Sequence, residues 1–444
     1  MTTTEPQDAE SWTNAPSAAG QEVTGALAAL PDLWLTGPAI AAAAGMDRAT
    51  AAAHLAVLAA TGAVSTRGAR YRLAEAVDPG AVPANLAAVR GVAHWYLLGA
   101  KAALTEIGAD KTYWTLPATS GPEISAQRFA DLDGAHAWLL GEEGNLRAVL
   151  AAADAAGLHA HVWRLATLQL QAWTYRGAYD RWQETADLAL DAANAAGEPV
   201  GQSDALAYQA RGYSQRGLLK RADDLQHRAL EIRERAGDPI GLARSHNDRG
   251  LIAHRHADLD GAIAHYRTCQ QIAASCGHDQ YEAIARVNLA DALRTQGHLD
   301  QAAELLEQVT DYCRHHHSPL LAAGAARLVA DVLGLQGHTT QALTAAEQAL
   351  AQSALLPETA GLAWAQHTYA RALLRAERPT EAIEALRATA ALHGAVHDRQ
   401  RQTQALDLAA DLYDGNGQHA QADTLRARAA QLRNELSELD TEAA

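Results

Sequence analysis

The fold is decided by a 40-residue unit that is clearest at residues 201–240, which read GQSDALAYQARGYSQRGLLKRADDLQHRALEIRERAGDPI. Two apolar stripes with helical spacing lie on either side of Gly217, and a Gly-Asp-Pro sequence ends the second. Their members are Leu206, Ala210 and Tyr213 before the glycine, and Leu219, Ala222 and Ala229 after it. Because small residues let two antiparallel helices approach closely, the unit predicts a helix–turn–helix hairpin.

The unit repeats along the chain with a constant period of 40 residues. The alanine of the second helix recurs at Ala222, Ala262, Ala302, Ala342, Ala382 and Ala422, with Trp182 one step earlier. The turn glycine recurs at Gly177, Gly217, Gly297, Gly337 and Gly417, with Ala257 and Glu377 in the same place. Since unrelated helices would not stay in phase, the register predicts an all-α solenoid of about seven stacked hairpins.

These residues resemble the tetratricopeptide (TPR) repeat in a lengthened form. The resemblance covers roughly residues 160–436, and about six extra residues per unit lengthen the helices and loops. It implies a right-handed superhelix with a concave groove. The fold alone does not define what the groove holds.

The composition limits the possible functions. The net charge is −16 and the chain has three lysines, so binding of nucleic acid over most of the surface is not expected, although a local basic face is possible. Three cysteines cannot form a disulfide framework, and no signal peptide or apolar membrane span is recognisable. We therefore expect a cytoplasmic protein without membrane contact.

Four segments are predicted. A disordered tail is expected at residues 1–20, a winged-helix module at 21–80, a helical connector at 81–158 and the solenoid at 159–438. The connector should contain a long helix at 82–108, a loop at 109–128 and two helices near 132–140 and 142–156. A charged final helix, at about 419–438, suits a solubilising cap.

The winged-helix prediction rests on three short helices followed by a hairpin. The helices are expected at Val23–Leu30, Gly37–Gly45 and Arg48–Thr61, with a hairpin around Arg67-Gly68. In DNA-binding winged helices the third helix enters the major groove and the wing contacts phosphate. The candidate DNA-binding residues are Arg48, Thr50, His54, Arg67, Arg70 and Arg72. Residues 31–75 have a net charge of only +1, so packing is the competing interpretation.

Residues 21 to about 160 resemble the region before the TPR array in AfsR-type bacterial regulators. The matching positions are Tyr71, Arg72 and Leu73, then Trp95 and Tyr96, then Phe129, Ala130, Asp131, Ala137, Trp138, Leu139, Glu143, Asn145 and Leu146. The family's nucleotide-sensing His-Asp pair is replaced by Ala74-Glu75, and the sequence has no G-x-x-x-x-G-K-[ST] motif. The resemblance therefore implies a regulator without the nucleotide-binding (NB-ARC) domain, and no cofactor is expected.

In TPR arrays the first helix of each unit lines the groove, and four positions of that helix point inward. The resulting candidate ligand-binding residues are Arg211, Arg244, Asn247, His254, Asp291, Arg294, Arg327, Asp331, Trp364, His367 and Arg371. Arginine suits carboxylate or phosphate, and tryptophan offers an apolar anchor. In the alternative interpretation, Arg–Asp pairs such as Arg294 with Asp331 neutralise each other. A peptide, protein segment or small molecule is the expected ligand.

Other chemistry has weaker support. Cys276, His278, Cys313 and His316 could approach one another, but their spacing matches no standard zinc site. We found no catalytic motif, and we predict no catalytic residue or metal site. The sequence thus favours a regulatory receptor that controls gene expression through a ligand in the groove. A DNA-binding transcriptional regulator is the first alternative, and an enzyme built on a TPR frame, with acid–base chemistry at His254, is the second.

Overall fold

The computed structural model describes residues 17–75, 85–108, 113–118, 124–176 and 181–442. The described residues form two compact units. The first contains residues up to 102, 116–128 and 138–165, and the second contains 103–115, 129–137 and the chain from 166 onward.

Short helices and a small sheet form the N-terminal part of the first unit. The elements are α1 (Ala18–Ala28), β1 (Leu35–Thr36), α2 (Gly37–Ala44), α3 (Arg48–Ala60), β2 (Val64–Arg67) and β3 (Arg70–Leu73). The antiparallel sheet has the order β1-β3-β2. Asp47 caps α3, since its Oδ1 accepts from the backbone N–H groups of Ala49 and Thr50 at 2.9 Å.

Two details differ from the sequence expectation. Helix α1 begins at Ala18, inside the expected tail, while residues 1–16 lie outside the described residues. Strand β1 was not predicted, because two residues are too few to show an alternating pattern.

Three further helices follow in the chain. They are α4 (Leu86–Ile107), α5 (Leu132–Gly141) and α6 (Glu143–Ala155). Trp95, Tyr96 and Trp138 pack edge to face or tilted, with ring centroids 4.9 to 6.1 Å apart. Gly91 lets α4 pass close to α2, because a β-carbon there would lie 2.1 Å from the carbonyl oxygen of Ala42.

The predicted hairpin array lies in the second unit, apart from residues 159–165 of its first helix, and confirms the all-α repeat fold. The helices are α7 (His159–Arg176), α8 (Trp182–Ala196), α9 (Pro199–Gln215), α10 (Leu219–Ala236), α11 (Pro239–Arg255), α12 (Leu259–Ser275), α13 (Asp279–Gln296), α14 (Leu299–His315), α15 (Pro319–Leu335), α16 (Thr339–Ala354), α17 (Thr359–Arg375), α18 (Pro379–Ala395), α19 (Arg399–Gly415) and α20 (His419–Glu442). The alanines at 40-residue steps are all at most 1% exposed: Ala222, Ala262, Ala302, Ala342, Ala382 and Ala422.

The turn inside each hairpin uses the left-handed backbone conformation. Gly217, Gly297, Gly337 and Gly417 have φ values between 72° and 88°. Ala257 and Glu377 occupy the same place with φ values of 61° and 57°, as their phase in the sequence predicted. Gly177 lies outside the described residues.

Distant parts of the array touch. A β-carbon placed on Gly217, in the α9–α10 turn, would lie 3.2 Å from Cδ2 of Leu436 on α20. The last helix therefore packs against the turn of a hairpin early in the array. Among the described helices, none has the length and apolar character needed to cross a membrane.

Candidate functional site

A cavity of about 460 Å³ lies within the second unit, among the first helices of five successive hairpins. These helices are α9, α11, α13, α15 and α17, and residues near the α18–α19 turn complete the lining. The volume is in the range of small-molecule and peptide-side-chain pockets. Seven of the eleven predicted groove residues line it: Arg211, Asn247, His254, Asp291, Arg294, Arg327 and Trp364.

Arg244 is a predicted groove residue that does not line the cavity. Its Nη1 donates to Oδ1 of the fully buried Asp204 at 2.6 Å, and Arg233 donates to the same oxygen at 2.8 Å. Tyr113 covers the site, with its ring centroid 5.3 Å from the Arg244 guanidinium carbon and its hydroxyl donating to Asp238. Arg244 is therefore held in a buried ion triad with Asp204 and Arg233 and does not line the cavity.

Asp331, His367 and Arg371 also lie outside the lining. Asp331 is 2% exposed, and Thr368 donates to its Oδ2 at 3.2 Å. Arg327 and Arg371 approach its two carboxylate oxygens at 3.7 and 3.5 Å. Asp331 is therefore buried behind the cavity lining, where its carboxylate orients the guanidinium groups of Arg327 and Arg371.

The alternative interpretation gave Arg294 and Asp331 as an example of a pair that neutralises its charge. Arg294 instead donates from Nη2 to Oδ1 of Asp291, one helical turn away, at 2.7 Å. Arg211 similarly lies 3.3 Å from Asp248. Charge neutralisation inside the cavity thus occurs, mostly between close neighbours.

Four lining residues near the α18–α19 turn were missed: Arg255, His393, Asp398 and Arg401. Arg255 Nη2 and Arg401 Nη1 both donate to Oδ2 of Asp398 at 2.8 Å. The other oxygen of Asp398 accepts from the backbone N–H of Arg401 at 3.2 Å and so caps α19. The sequence could have revealed the cap, but not the contact with α11.

Trp364 organises the charges of this wall. The guanidinium carbons of Arg327 and Arg401 lie 5.2 and 4.3 Å from its ring centroid, within cation–π range. His393 packs edge to face against it, with centroids 5.7 Å apart. We expected an apolar anchor for a ligand, whereas this half-buried ring mainly positions two cations.

The histidines around the cavity are held neutral near pH 7. Burial lowers the pKa of His367 and His393 to about 4, and it lowers the pKa of His254 as well. Arg371 lowers the pKa of His367 further, whereas at His393 the nearby Asp398 carboxylate opposes the effect of burial and Arg401 adds to it. The neutral imidazoles can therefore donate and accept hydrogen bonds without adding charge.

The remainder of the lining is largely aliphatic or carries amides. Aliphatic lining residues include Leu251, Ile284, Val287, Leu320, Leu321 and Leu356. Asn288 Nδ2 donates to Oδ1 of Asn247 at 2.7 Å, which places two carboxamide groups on one wall. The cavity thus combines an apolar wall, amide groups and an arginine-rich end.

The candidate DNA-binding residues of the first unit are mostly engaged within the protein. Arg70 donates to Glu142, and Arg72 lies over the Trp34 ring at 4.9 Å. Arg48 donates to the carbonyl oxygen of Ser125 at 3.3 Å, and the Thr50 hydroxyl donates to Asp47 at 2.6 Å. Of the two others, His54 is half-buried and Arg67 is exposed.

The four residues considered for zinc make other contacts. His316 stacks on Tyr312 with centroids 4.3 Å apart, and His278 caps α13. Cys276 is exposed and Cys313 is half-buried. Within the described part of the chain, no group of three or more His, Cys, Asp or Glu residues is placed to hold a metal ion.

The comparison with known families identifies the repeats. The tetratricopeptide repeat family model matches residues 241–315, which span α11 to α14. Residues 241–315 are TPR repeats. Among curated proteins, none matches the sequence.

Solved structures with TPR-like arrays show low identity to this chain. A Rap protein complexed with Competence and Sporulation Factor is 12% identical, with coverage of 68% of this chain and 99% of that one, at a TM-score of 0.46. Aspartyl phosphate phosphatase F from Bacillus subtilis is 13% identical over 68% and 82% of the two chains, at 0.48. A STAND signal-transduction ATPase with a TPR sensor, from Pyrococcus horikoshii, is 11% identical over 99% and 67%, at 0.47.

Proposed function

We propose that the cavity of the TPR array is a receptor site for a small ligand, and that a short peptide segment is its natural occupant. The observation that carries the proposal is the lining itself, which gathers side chains from five successive first helices around about 460 Å³. Amide groups suit a peptide backbone, aliphatic residues suit its side chains, and guanidinium groups suit its acidic groups.

Gly324 offers a direct test, because it lines the cavity and a β-carbon there would have no neighbouring group within 4 Å. The variant Gly324→Trp should fill the cavity while leaving α15 intact. Gly415→Trp is the matched control, since Gly415 is exposed, has equally open space and lies at the end of α19 outside the cavity.

The binding assay is affinity-selection mass spectrometry with a synthetic library of random hexapeptides. We expect a set of peptides that is retained by the wild type and by Gly415→Trp but not by Gly324→Trp. Equal retention by all three proteins, or no retention by the wild type, would contradict a receptor role for the cavity.

For the first unit, we infer that residues 21–75 form a winged helix of the AfsR type, and that ligand binding in the array regulates gene expression. The order of three helices and a hairpin supports this inference, and the exposed Arg67 at the tip of the hairpin supports contact with phosphate. The internal contacts of Arg48, Arg70 and Arg72 count against a broad DNA surface. In gel-shift assays with the full chain, binding that weakens with salt and with Arg67→Ala is the expected result, and binding insensitive to both would refute DNA recognition by this hairpin.

A further inference from the structure

We propose that the arginine-rich end of the cavity, which we call the arginine end and define as Arg255, Arg327, His393, Asp398 and Arg401, binds a carboxylate group of the ligand. This inference rests on the receptor function proposed above and specifies the chemistry of its ligand.

The first argument is the balance of charge. Asp398 is shared by Arg255 and Arg401, and Asp331 is shared by Arg327 and Arg371. The lining as a whole carries five arginines against four carboxylates, which are Asp248, Asp291, Glu358 and Asp398, so one positive charge is in excess in a chain whose net charge is −16. Each guanidinium group has five N–H donors. Arg255 uses Nη1 for the carbonyl oxygen of Ser214 at 3.0 Å and for Oε1 of Gln215 at 3.1 Å, so Arg327 and Arg401 would supply the donors for a further anion.

The second argument is an unsatisfied buried side chain. His393 lines the cavity and is 1% exposed, yet neither of its ring nitrogens has a hydrogen-bond partner among the described residues. Buried polar groups are nearly always paired, because an unpaired one loses its hydration without compensation. A ligand oxygen beside Arg401 would accept a hydrogen bond from the neutral imidazole and complete its pairing.

The third argument is preorganisation. Trp364 fixes Arg327 and Arg401 by cation–π contacts, and Asp398 fixes Arg255 and Arg401 by charge-assisted hydrogen bonds. Burial lowers the pKa of Arg327, against the opposing effect of the nearby carboxylates of Asp291 and Asp331. Little side-chain entropy would be lost on binding an anion, so the site is built before the ligand arrives.

A peptide carboxylate could come from the C-terminus or from an acidic side chain, and three synthetic hexapeptide libraries distinguish these sources. One library has free C-termini and no Asp or Glu, the second is its carboxamide, and the third is a carboxamide with one Glu. We expect retention by the wild type from the first or the third library, and binding of the matched carboxamide to be weaker by about tenfold or more.

The variants should locate the effect. Arg401→Gln and Arg255→Gln should each remove most of the preference for the carboxylate. Arg378→Gln should leave it unchanged, because Arg378 pairs with Glu381 on the surface of α18. A measurement that needs no variant is the salt dependence: carboxylate peptides should bind the wild type more weakly as ionic strength rises, and carboxamides should not.

The outcomes separate the two proposals. If acid and carboxamide peptides bind equally and Gly324→Trp abolishes both, the receptor role stands and the carboxylate site is refuted. If no library is retained by the wild type, both proposals fall. If only Arg401→Gln loses its fold, judged by circular dichroism, the decision passes to Arg255→Gln and to the salt dependence.

Discussion

Arg255 Nη2 donates to Oδ2 of Asp398 over 2.8 Å, although 143 residues separate the two in sequence. The contact joins the end of α11 to the start of α19 and passes over three intervening hairpins. Neighbouring repeats in a solenoid contact each other by construction, whereas this ion pair links two that are far apart. Both residues line the cavity, so the ion pair forms part of its wall.

The ion pair should contribute to stability as well as to the shape of the cavity. Asp398 is 4% exposed, so its replacement would leave the largely buried Arg255 guanidinium without a compensating negative charge. Asp398→Asn keeps the cap of α19 and removes the charge. We expect it to lower the free energy of unfolding by about 2 kcal/mol or more in urea titrations.

A double-mutant cycle with Arg255→Gln should give a coupling free energy well above zero. Glu381→Gln is the control, because its ion pair with Arg378 is exposed and should be thermodynamically silent. Additive effects of Asp398→Asn and Arg255→Gln would mean that the pair does not act as a unit.

In the first unit, Glu142 should be the most sensitive polar residue. It is 1% exposed and accepts hydrogen bonds from Arg70, from the Tyr96 hydroxyl at 2.7 Å and from Asn145 at 2.7 Å. A glutamine cannot accept all three, so Glu142→Gln should destabilise this unit by about 2–4 kcal/mol in thermal or urea unfolding. Glu75→Gln, at a solvent-exposed carboxylate, should have no measurable effect, and equal effects of the two substitutions would contradict this view.

The buried histidines should make the protein less stable in mild acid. Burial lowers the pKa of His393 from 6.5 to about 4, so between these values the unfolded chain binds a proton that the folded chain does not. The stabilisation is complete above about pH 6.5 and is lost as the pH falls toward 4. At pH 5 the free energy of unfolding should be lower than at neutral pH by about 2 kcal/mol because of His393 alone.

His393→Gln should therefore flatten the decline of the urea midpoint between pH 7 and pH 5 relative to the wild type. His161 and His367, with pKa values also near 4, should retain their share of the decline in this variant. A variant with an unaltered pH profile would show that His393 is not held neutral by the fold.

The left-handed turn positions allow a matched pair of substitutions. Ala257 has a φ of 61° and is exposed, so Ala257→Gly should relieve backbone strain and stabilise the protein by about 1 kcal/mol. Gly297→Ala, at the equivalent turn with a φ of 88°, should destabilise it by a similar amount. Differential scanning calorimetry would measure both, and shifts of the same sign would contradict the argument from backbone strain.

The fold was predictable because the same pattern of small and apolar residues recurs every 40 residues. Each of Ala222, Ala262 and Ala302 reports the same contact between helices, so a local pattern determines the array. Even Ala257 and Glu377 could be placed in turns from their phase alone.

The candidate site was only partly predictable, since it depends on contacts that no local pattern contains. His393 lies at the end of a second helix. Asp398 and Arg401 lie at the start of the first helix α19, outside the four positions of a first helix that the sequence rule selects. Arg244 satisfies that rule but is held by Asp204, and only the packed structure reveals the competition. Seven of the eleven residues selected by the rule line the cavity, whereas the ion pairs that hold the charged side chains depend on tertiary contacts.

The approach of Leu436 to Gly217 also bears on how this protein can change over time. Repeat proteins commonly lengthen or shorten by whole units, because each unit depends only on its neighbours. Here the duplication or deletion of a 40-residue unit between α10 and α20 would move Leu436 away from Gly217 and break this contact. The contact therefore requires a fixed number of hairpins between Gly217 and Leu436. We expect this protein to evolve by substitution of side chains and not by gain or loss of repeats.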